Sequence, residues 1–511
     1  MRWTTARTAP NETAADLLIV GVLKNDDGPE LKPWHELDKA TGNALKSLRG
    51  TEIFGAAAES MHTVPGGAAK APWVLLLGLG TADDLTLQVL RCCVAVAVKR
   101  ARALKIKRIA LALPWSSLKG FSAEAVARSC AEGGELALFE AGSCKAKSYK
   151  DSPEPVSVKL CLADGAPLAD VRTGLETGVD MAVGCLTARR LVNMPPNELT
   201  PSRLALEARR IASAEGYVCA VHGEPWLRKQ GMGGILGVGQ GSRQESKLVV
   251  MERAPRSRKK LPTVVLVGKG VTFDTGGISL KPGSGMHEMK GDMGGAAAVL
   301  GAALILARRN IEARLVIVVP TVENMPDGNA IRPGDVLTMA SGKTVEILNT
   351  DAEGRLILAD GLHYAAAEKP DLIIDAATLT GACVVALGMQ FAGMFANDTT
   401  LSDALQQAGG DVFERVWPMP LIDEHHKMIE SPIADIKNIG GGRWAGASTA
   451  AAFLAEFVDD ETAWAHLDIA GPAWTEGDTP LSPKGATGYG ARVIARGVEL
   501  YLEALAARSG A

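Results

Sequence analysis

Apolar and polar positions along the chain alternate in a way that repeats. Short apolar runs at Leu17 to Leu23, Val74 to Gly78, Arg108 to Leu113 and Val158 to Cys161 predict strands, and the stretches around Leu85 to Leu104 and Ala123 to Phe139 predict helices between them. Strands alternating with helices indicate an α/β domain. After Asp164-Gly165-Ala166-Pro167 a helical pattern runs from Val171 to Val192 and stops at the breaker cluster Asn193-Met194-Pro195-Pro196-Asn197. The expected organisation is an N-terminal α/β domain over 1–165, a linker helix over 166–192 and a second domain over 193–511.

The second domain repeats the alternation, with strands predicted at Thr263 to Val267, Arg314 to Val319 and Leu372 to Ala376 and helices at Gly294 to Arg309 and Gly354 to Glu368. These strands are nearly uninterrupted Val, Ile and Leu, the pattern of a sheet covered on both faces. In such sheets ligands sit beyond the carboxyl ends of the strands. The most apolar stretch, Ala296 to Ala307, is too short to span a bilayer and is closed by Arg308 and Arg309, so it reads as a buried helix.

Composition narrows the class. At 511 residues, 47% hydrophobic and 22% charged, the chain is globular and too long for one core. A net charge of −4 offers no general attraction to nucleic acid or anionic membrane. Met1-Arg2-Trp3-Thr4-Thr5 lacks the charged and apolar regions of a secretory signal, so a cytoplasmic location is expected. Eight scattered cysteines, with no Cys-x-x-Cys pair, predict reduced thiols rather than disulfides or a zinc knuckle.

Three polar stretches interrupt the apolar pattern. Val267-Gly268-Lys269-Gly270 to Asp274-Thr275-Gly276-Gly277 leaves a strand without the spacing of a phosphate loop. Lys281 and Lys290-Gly291-Asp292-Met293 precede the apolar helix, where Asp292 suits an N-cap. In Asn349-Thr350-Asp351-Ala352-Glu353-Gly354-Arg355-Leu356, Thr350 and Glu353 fit a capping box. Each stretch alone has an ordinary structural explanation. Together they bring Asp274, Asp292, Asp351 and Glu353 to one sheet edge beside Lys269, Lys281 and Arg355, and four clustered carboxylates suit a two-metal site.

The string NTDAEGRL at 349–356 resembles without a mismatch the signature of the leucyl aminopeptidase (cytosol aminopeptidase) family. The resemblance extends to the stretch around Lys269 and Asp274, to Lys281, to Lys290–Met293, to Leu191–Asn197 and to His466-Leu467-Asp468-Ile469-Ala470-Gly471. It implies two α/β domains: a mixed C-terminal sheet covered by helices and carrying two metals, and a smaller macro-like N-terminal domain. It also implies a metal-dependent aminopeptidase that releases N-terminal residues, preferably Leu or Met, through a two-metal hydroxide mechanism. By the resemblance Asp274 and Glu353 bridge two divalent ions, Mn²⁺ or Zn²⁺, Lys269 and Asp292 complete one shell, and Asp351 serves the other ion. Lys281 polarises the scissile carbonyl, and Arg355 holds a bicarbonate that acts as general base. Met289, Thr378, Gly381, Ala470 and Ala473 line the pocket for the first side chain of a peptide substrate, and the assembly is a homohexamer.

Two other classes were weighed. Phosphoryl transfer would also use carboxylates with Lys and Arg, but Gly237-Val238-Gly239-Gln240-Gly241 is a weak anion loop and reads as a turn. Some bacterial members of the family bind DNA; the basic run Arg253 to Lys260 has no interleaved aromatics and reads as a solvated loop. His425-His426 fits no His-Glu-x-x-His pattern and reads as a surface pair.

Overall fold

The computed structural model describes residues 1–509 apart from 50, 119, 142–143, 145–156, 163–165 and 256–260. The chain forms two compact units, Met1–Ala182 with Gly477–Pro483, and Val183–Glu476 with Lys484–Ala511. The predicted helix over 171–192 extends over Leu168–Asn193, and the division between units falls inside it. Asp164 and Gly165, part of the turn expected before that helix, lie outside the described residues, as do 256–260 of the basic run.

In the first unit the strands are β1 (Arg2–Ala6), β2 (Leu17–Asn25), β3 (Met61–Pro65), β4 (Trp73–Thr81), β5 (Arg108–Ala112) and β6 (Ser157–Cys161). They lie in the order β1-β6-β5-β2-β4-β3, parallel except for β3, with the short strand Gly28–Pro29 on β2. Successive side chains face opposite sides. Leu17, Ile19, Leu75, Leu77, Ile109 and Leu111 therefore pack under α1 (Leu87–Ala103) and α2 (Ala123–Leu136), while Leu18, Val20, Val74 and Leu76 pack under Trp34 and Leu37. The result is the α/β layering expected from the pattern.

In the second unit β7 (Val218–His222), β8 (Lys247–Arg253), β9 (Thr263–Gly268), β10 (Gly270–Asp274), β11 (Arg314–Asn324), β12 (Leu372–Ala377), β13 (Ala392–Ala396), β14 (Val416–Pro418) and β15 (Ala463–Asp468) form one mixed sheet. Its order is β14-β13-β15-β12-β9-β11-β8-β7, with β10 continuing against β11. The centre, β15-β12-β9-β11, is parallel. Helices α3 (Gly294–Arg308), α4 (Gly354–Ala367) and α5 (Gly446–Ala455) are buried around it, and Ala296 to Ala307 are all buried. By length and composition the continuous stretch Met286–Arg308 passes the test for a membrane span, but 83% of its most apolar window is buried in the protein. The glycine run at 237–241 differs from the expected turn: Gly233–Gly239 is a short helix, because buried Ile235 and Val238 pin one face of it to the core.

Candidate metal centre and substrate cleft

The carboxyl edge of the parallel strands carries the polar residues. Lys269 follows β9, Asp274 ends β10, Asn324 ends β11, Thr378 follows β12 and Asp468 ends β15. The two remaining loops enter from helix starts, bringing Asp292 ahead of α3 and Asp351 and Glu353 ahead of α4. Side chains separated by up to about 200 residues thus meet at one edge, as the chain order of a parallel sheet dictates.

Two helix-start expectations are not met. Met293, not Asp292, stands at the cap of α3, and no side chain caps it. Glu353 itself is the cap residue of α4 and makes no capping bond, while Thr350 donates to the Gly276 carbonyl and accepts from Ser279 N–H. Both carboxylates lie beside a buried ammonium instead, an interaction stronger in a dry site than a hydrogen bond to a helix N–H.

The ammonium of Lys269 is 2.7 Å from Asp292 Oδ1 and 2.8 Å from Glu353 Oε1, and it donates to Thr378 O at 3.0 Å. Lys281 lies 2.9 Å from Asp274 Oδ2 and also pairs with Asp351. Asn324 Nδ2 and Gly276 N–H both donate to Asp274 Oδ1 at 2.8 Å, fixing that carboxylate's orientation. Two glycines are required by this crowding. A Cβ at Gly276, where φ is +85°, would stand 2.9 Å from Asp351 Oδ1, and one at Gly354 would collide with Lys269 Cε at 2.4 Å.

Electrostatics show a site short of positive charge. Burial and the neighbouring Glu353 push Asp274 up to about 6, despite Lys281 and Lys269. Burial, together with Glu353 and Asp274, raises Asp292 well above the usual carboxylate range. Burial disfavours charge on Lys269, but Asp292, Glu353 and Asp274 outweigh it and hold the ammonium above its ordinary range. Lys281 is shifted the same way, its burial outweighed by Asp274 and Asp351. Buried oxygens of Asp292 (Oδ2), Asp351 (Oδ1) and Glu353 (Oε1) accept no well-aligned hydrogen bond. Oxygens of Asp274, Asp351 and Glu353 all lie within 4.8 Å of one another. Converging carboxylate oxygens, one of them (Asp292 Oδ2) without any hydrogen bond, are the donor set that hard or borderline divalent ions take, so the residues present fit a metal.

Arg355, the first charged residue of α4, is buried; its Nη1 donates to Asn438 O at 2.8 Å, and its Nε has no acceptor. Burial lowers its pKa to about 10. A cleft of about 370 Å³ opens beside the cluster. Met289, Thr378, Gly381, Ala470 and Ala473 all line it, as do Lys269, Lys281 and the four carboxylates. Arg355 does not line it. His425-His426 is not the expected surface pair: His425 is buried and His426 is half-buried against Glu456 at 2.9 Å.

Three positioning residues had no role assigned to them from the sequence. Asn324 aligns Asp274. Asn438 clasps the loop before α4, accepting from Leu348 N–H and donating to Asn349 O. Asp468 accepts from the N–H groups of Leu379, Thr380 and Ala470 and from the Thr380 hydroxyl, holding the 378–381 turn of the cleft wall. Asn324 and Asn438 sit in stretches without other signal, whereas Asp468 lies in the 466–471 stretch that carries the resemblance; for all three only the fold shows what they face.

Residues 186–495 match the cytosol aminopeptidase family, catalytic domain, and residues 19–148 match the N-terminal domain of the same family. A probable cytosol aminopeptidase of Roseiflexus castenholzii is 42% identical over 505 residues, 99% of this chain and all of the relative. One of Nitratidesulfovibrio vulgaris is 43% identical over 470 residues, 91% of each chain. Among solved structures, a tomato leucine aminopeptidase mutant is 32% identical with a TM-score of 0.86, over 98% of this chain and 96% of that one. The bottromycin maturation enzyme BotP in complex with Mn is 34% identical with a TM-score of 0.84, over 96% of this chain and all of that one. Matched over both domains and nearly its whole length, the chain belongs to the cytosol aminopeptidase family, and its general chemistry is aminopeptidase hydrolysis.

Proposed function

We propose that the protein removes N-terminal residues, preferably Leu or Met, from peptides with two divalent ions, Mn²⁺ or Zn²⁺, held by Lys269, Asp274, Asp292, Asp351 and Glu353. The observation that carries this reading is the set of converging carboxylate oxygens of Asp274, Asp351 and Glu353, within 4.8 Å of one another beside the cleft. The solved BotP complex with Mn lends support, as does the family's own chemistry. When bound, such ions supply Lewis-acid polarisation of a carbonyl and a water nucleophile at neutral pH.

The chain's own groups do the rest. Lys269 would hold an ion only as a neutral amine, which requires it to give up its proton. Lys281, whose ammonium faces Asp274 and Asp351 at the cleft, would present its charge to the substrate's carbonyl oxygen. Arg355, with a buried Nε free, holds an anion such as bicarbonate that accepts a proton during hydrolysis. Met289, Thr378, Gly381, Ala470 and Ala473 wall the first side chain. Burying leucine there contributes roughly 1.5 to 3 kcal/mol, whereas an unpaired buried carboxylate costs more. Glu288 and Glu476, also on the cleft, further disfavour acidic residues. A cytoplasmic setting and hexameric assembly complete the reading, carried over from the family; DNA binding is not part of it.

Chelated protein assayed on leucine p-nitroanilide should be inactive and recover with added Mn²⁺. Leu and Met substrates should exceed Asp in kcat/KM, and acetyl-Leu p-nitroanilide should be inert because the amine no longer coordinates. Metal-independent turnover, or efficient cleavage of the blocked compound, removes the proposal.

A further inference from the structure

The sheet of the first unit ends in a crevice of its own. Its strands β2 and β5 lie side by side and parallel, yet the chain leaves them in opposite directions, from β2 toward β3 and β4 and from β5 toward β6. In parallel α/β sheets ligands settle beyond the carboxyl ends of the strands where the connections reverse in this way. A cavity of about 320 Å³ lies there, within the range of small-molecule sites. Ala112 and Leu113 reach it from the end of β5 and Cys161 from the end of β6. Residues 9–11, which follow β1, and 32–37, which follow β2, close it from the other side.

The floor of this crevice is apolar. Trp34 and Leu37 are buried, and the indole N–H of Trp34 already donates to the Gly21 carbonyl at 3.1 Å. The rim is not electrically neutral. Glu36 lies 3.0 Å from the Lys39 ammonium and 3.2 Å from the His35 ring, whereas Lys32 is exposed and has no counter-ion among the described residues. The carboxamide of Asn11, half-buried on the opposite side, likewise has no hydrogen-bond partner among them. An apolar floor with one free cation and one free amide at its edge complements a molecule that joins a flat apolar body to a single acidic group. We propose that this crevice binds a small aromatic monocarboxylate, with its acid on Lys32 and Asn11 and its ring over Trp34 and Leu37. The crevice lies within the first unit and holds no residue of the metal centre, so the inference is independent of the aminopeptidase reading.

The test is isothermal titration of the full-length protein, at one ionic strength, with three probes that share a body and differ in charge: phenylacetate, 2-phenylethanol and phenethylamine. Phenylacetate should bind saturably, one per chain, with a Kd of about 1 mM or tighter. The alcohol should bind about fivefold more weakly, as expected for loss of one partly exposed charge pair, and the amine more weakly still. K32A, at an exposed position, should bring the acid down to the level of the alcohol and leave the alcohol unchanged. K32E should reverse the order, with the amine now the best of the three. Absence of saturable phenylacetate binding, equal binding of acid and alcohol, or an acid preference unchanged in K32A overturns the proposal. The titration is repeated on chelated protein: phenylacetate binding that persists there and still depends on Lys32 supports the crevice, and binding that vanishes with the metal belongs to the other site and overturns it.

Discussion

Lys281 and Arg355 have similar charges and different surroundings, and their variants should differ accordingly. Lys281 lines the cleft between Asp274 and Asp351, whereas Arg355 is walled off with its guanidinium on Asn438. Lys281→Ala should lower kcat on the order of a hundredfold with metal content unchanged, the usual scale for losing an oxyanion stabiliser. Arg355→Ala should cost less and lose any response to added bicarbonate; a variant that keeps the wild-type response removes the arginine from the anion role. Asp274→Asn and Glu353→Gln should abolish turnover and deplete both ions by elemental analysis if, as proposed, each carboxylate serves both ions. At this scale the sequence was most readable for residues that carry charge in a recognisable string. Asn324, Asn438 and Asp468 were not readable, because an amide or aspartate at a strand end gains its meaning from a neighbouring strand distant in the chain.

Helix α4 shows how an element can be legible in extent and misread at its start. The apolar period places it within a residue of its observed bounds, Gly354–Ala367. The capping box fails because Glu353 is committed to Lys269 and the loop ahead is held by Asn438 rather than by helix N–H groups. Asp360, inside the same helix, is fully buried and accepts from Ile235 N–H and Ala340 N–H, one on each carboxylate oxygen, at 2.9 Å. Burial raises its pKa to about 7 against the pull of those donors. A folded-state pKa raised above the unfolded value contributes stability that is full below the unfolded value and fades as pH climbs through about 7. Asp360→Asn removes this titration and sets an amide NH₂ against a backbone donor, costing about 1 to 3 kcal/mol. Urea unfolding should therefore show the variant's deficit relative to wild type shrinking from pH 5 to pH 8; a deficit constant across that range means the carboxyl does not titrate there.

The sequence reading places a junction at the Pro-rich break after Val192, whereas the compact units divide inside the preceding helix, since helix periodicity reports a continuous element and not which core each turn joins. Each unit has its own sheet, with apolar clusters on both faces of the first and a separate large cluster in the second. The carboxylate cluster belongs wholly to the second unit, Val183–Glu476 with Lys484–Ala511. A ligand that binds only the folded form stabilises it by RT ln(1 + [L]/Kd), about 2.7 kcal/mol at a hundred times Kd. For a unit of this size that is a shift of roughly 4 °C. Calorimetry should accordingly resolve two transitions, with Mn²⁺ raising one and chelation lowering the same one, while the other stays in place. Its assignment can be checked with Asp274→Asn, which should abolish the metal-dependent shift without moving the second transition. A single transition that moves as a whole with Mn²⁺ would show that the helix shared across 182 and 183 makes the two units unfold as one, and that metal binding stabilises the N-terminal sheet as well.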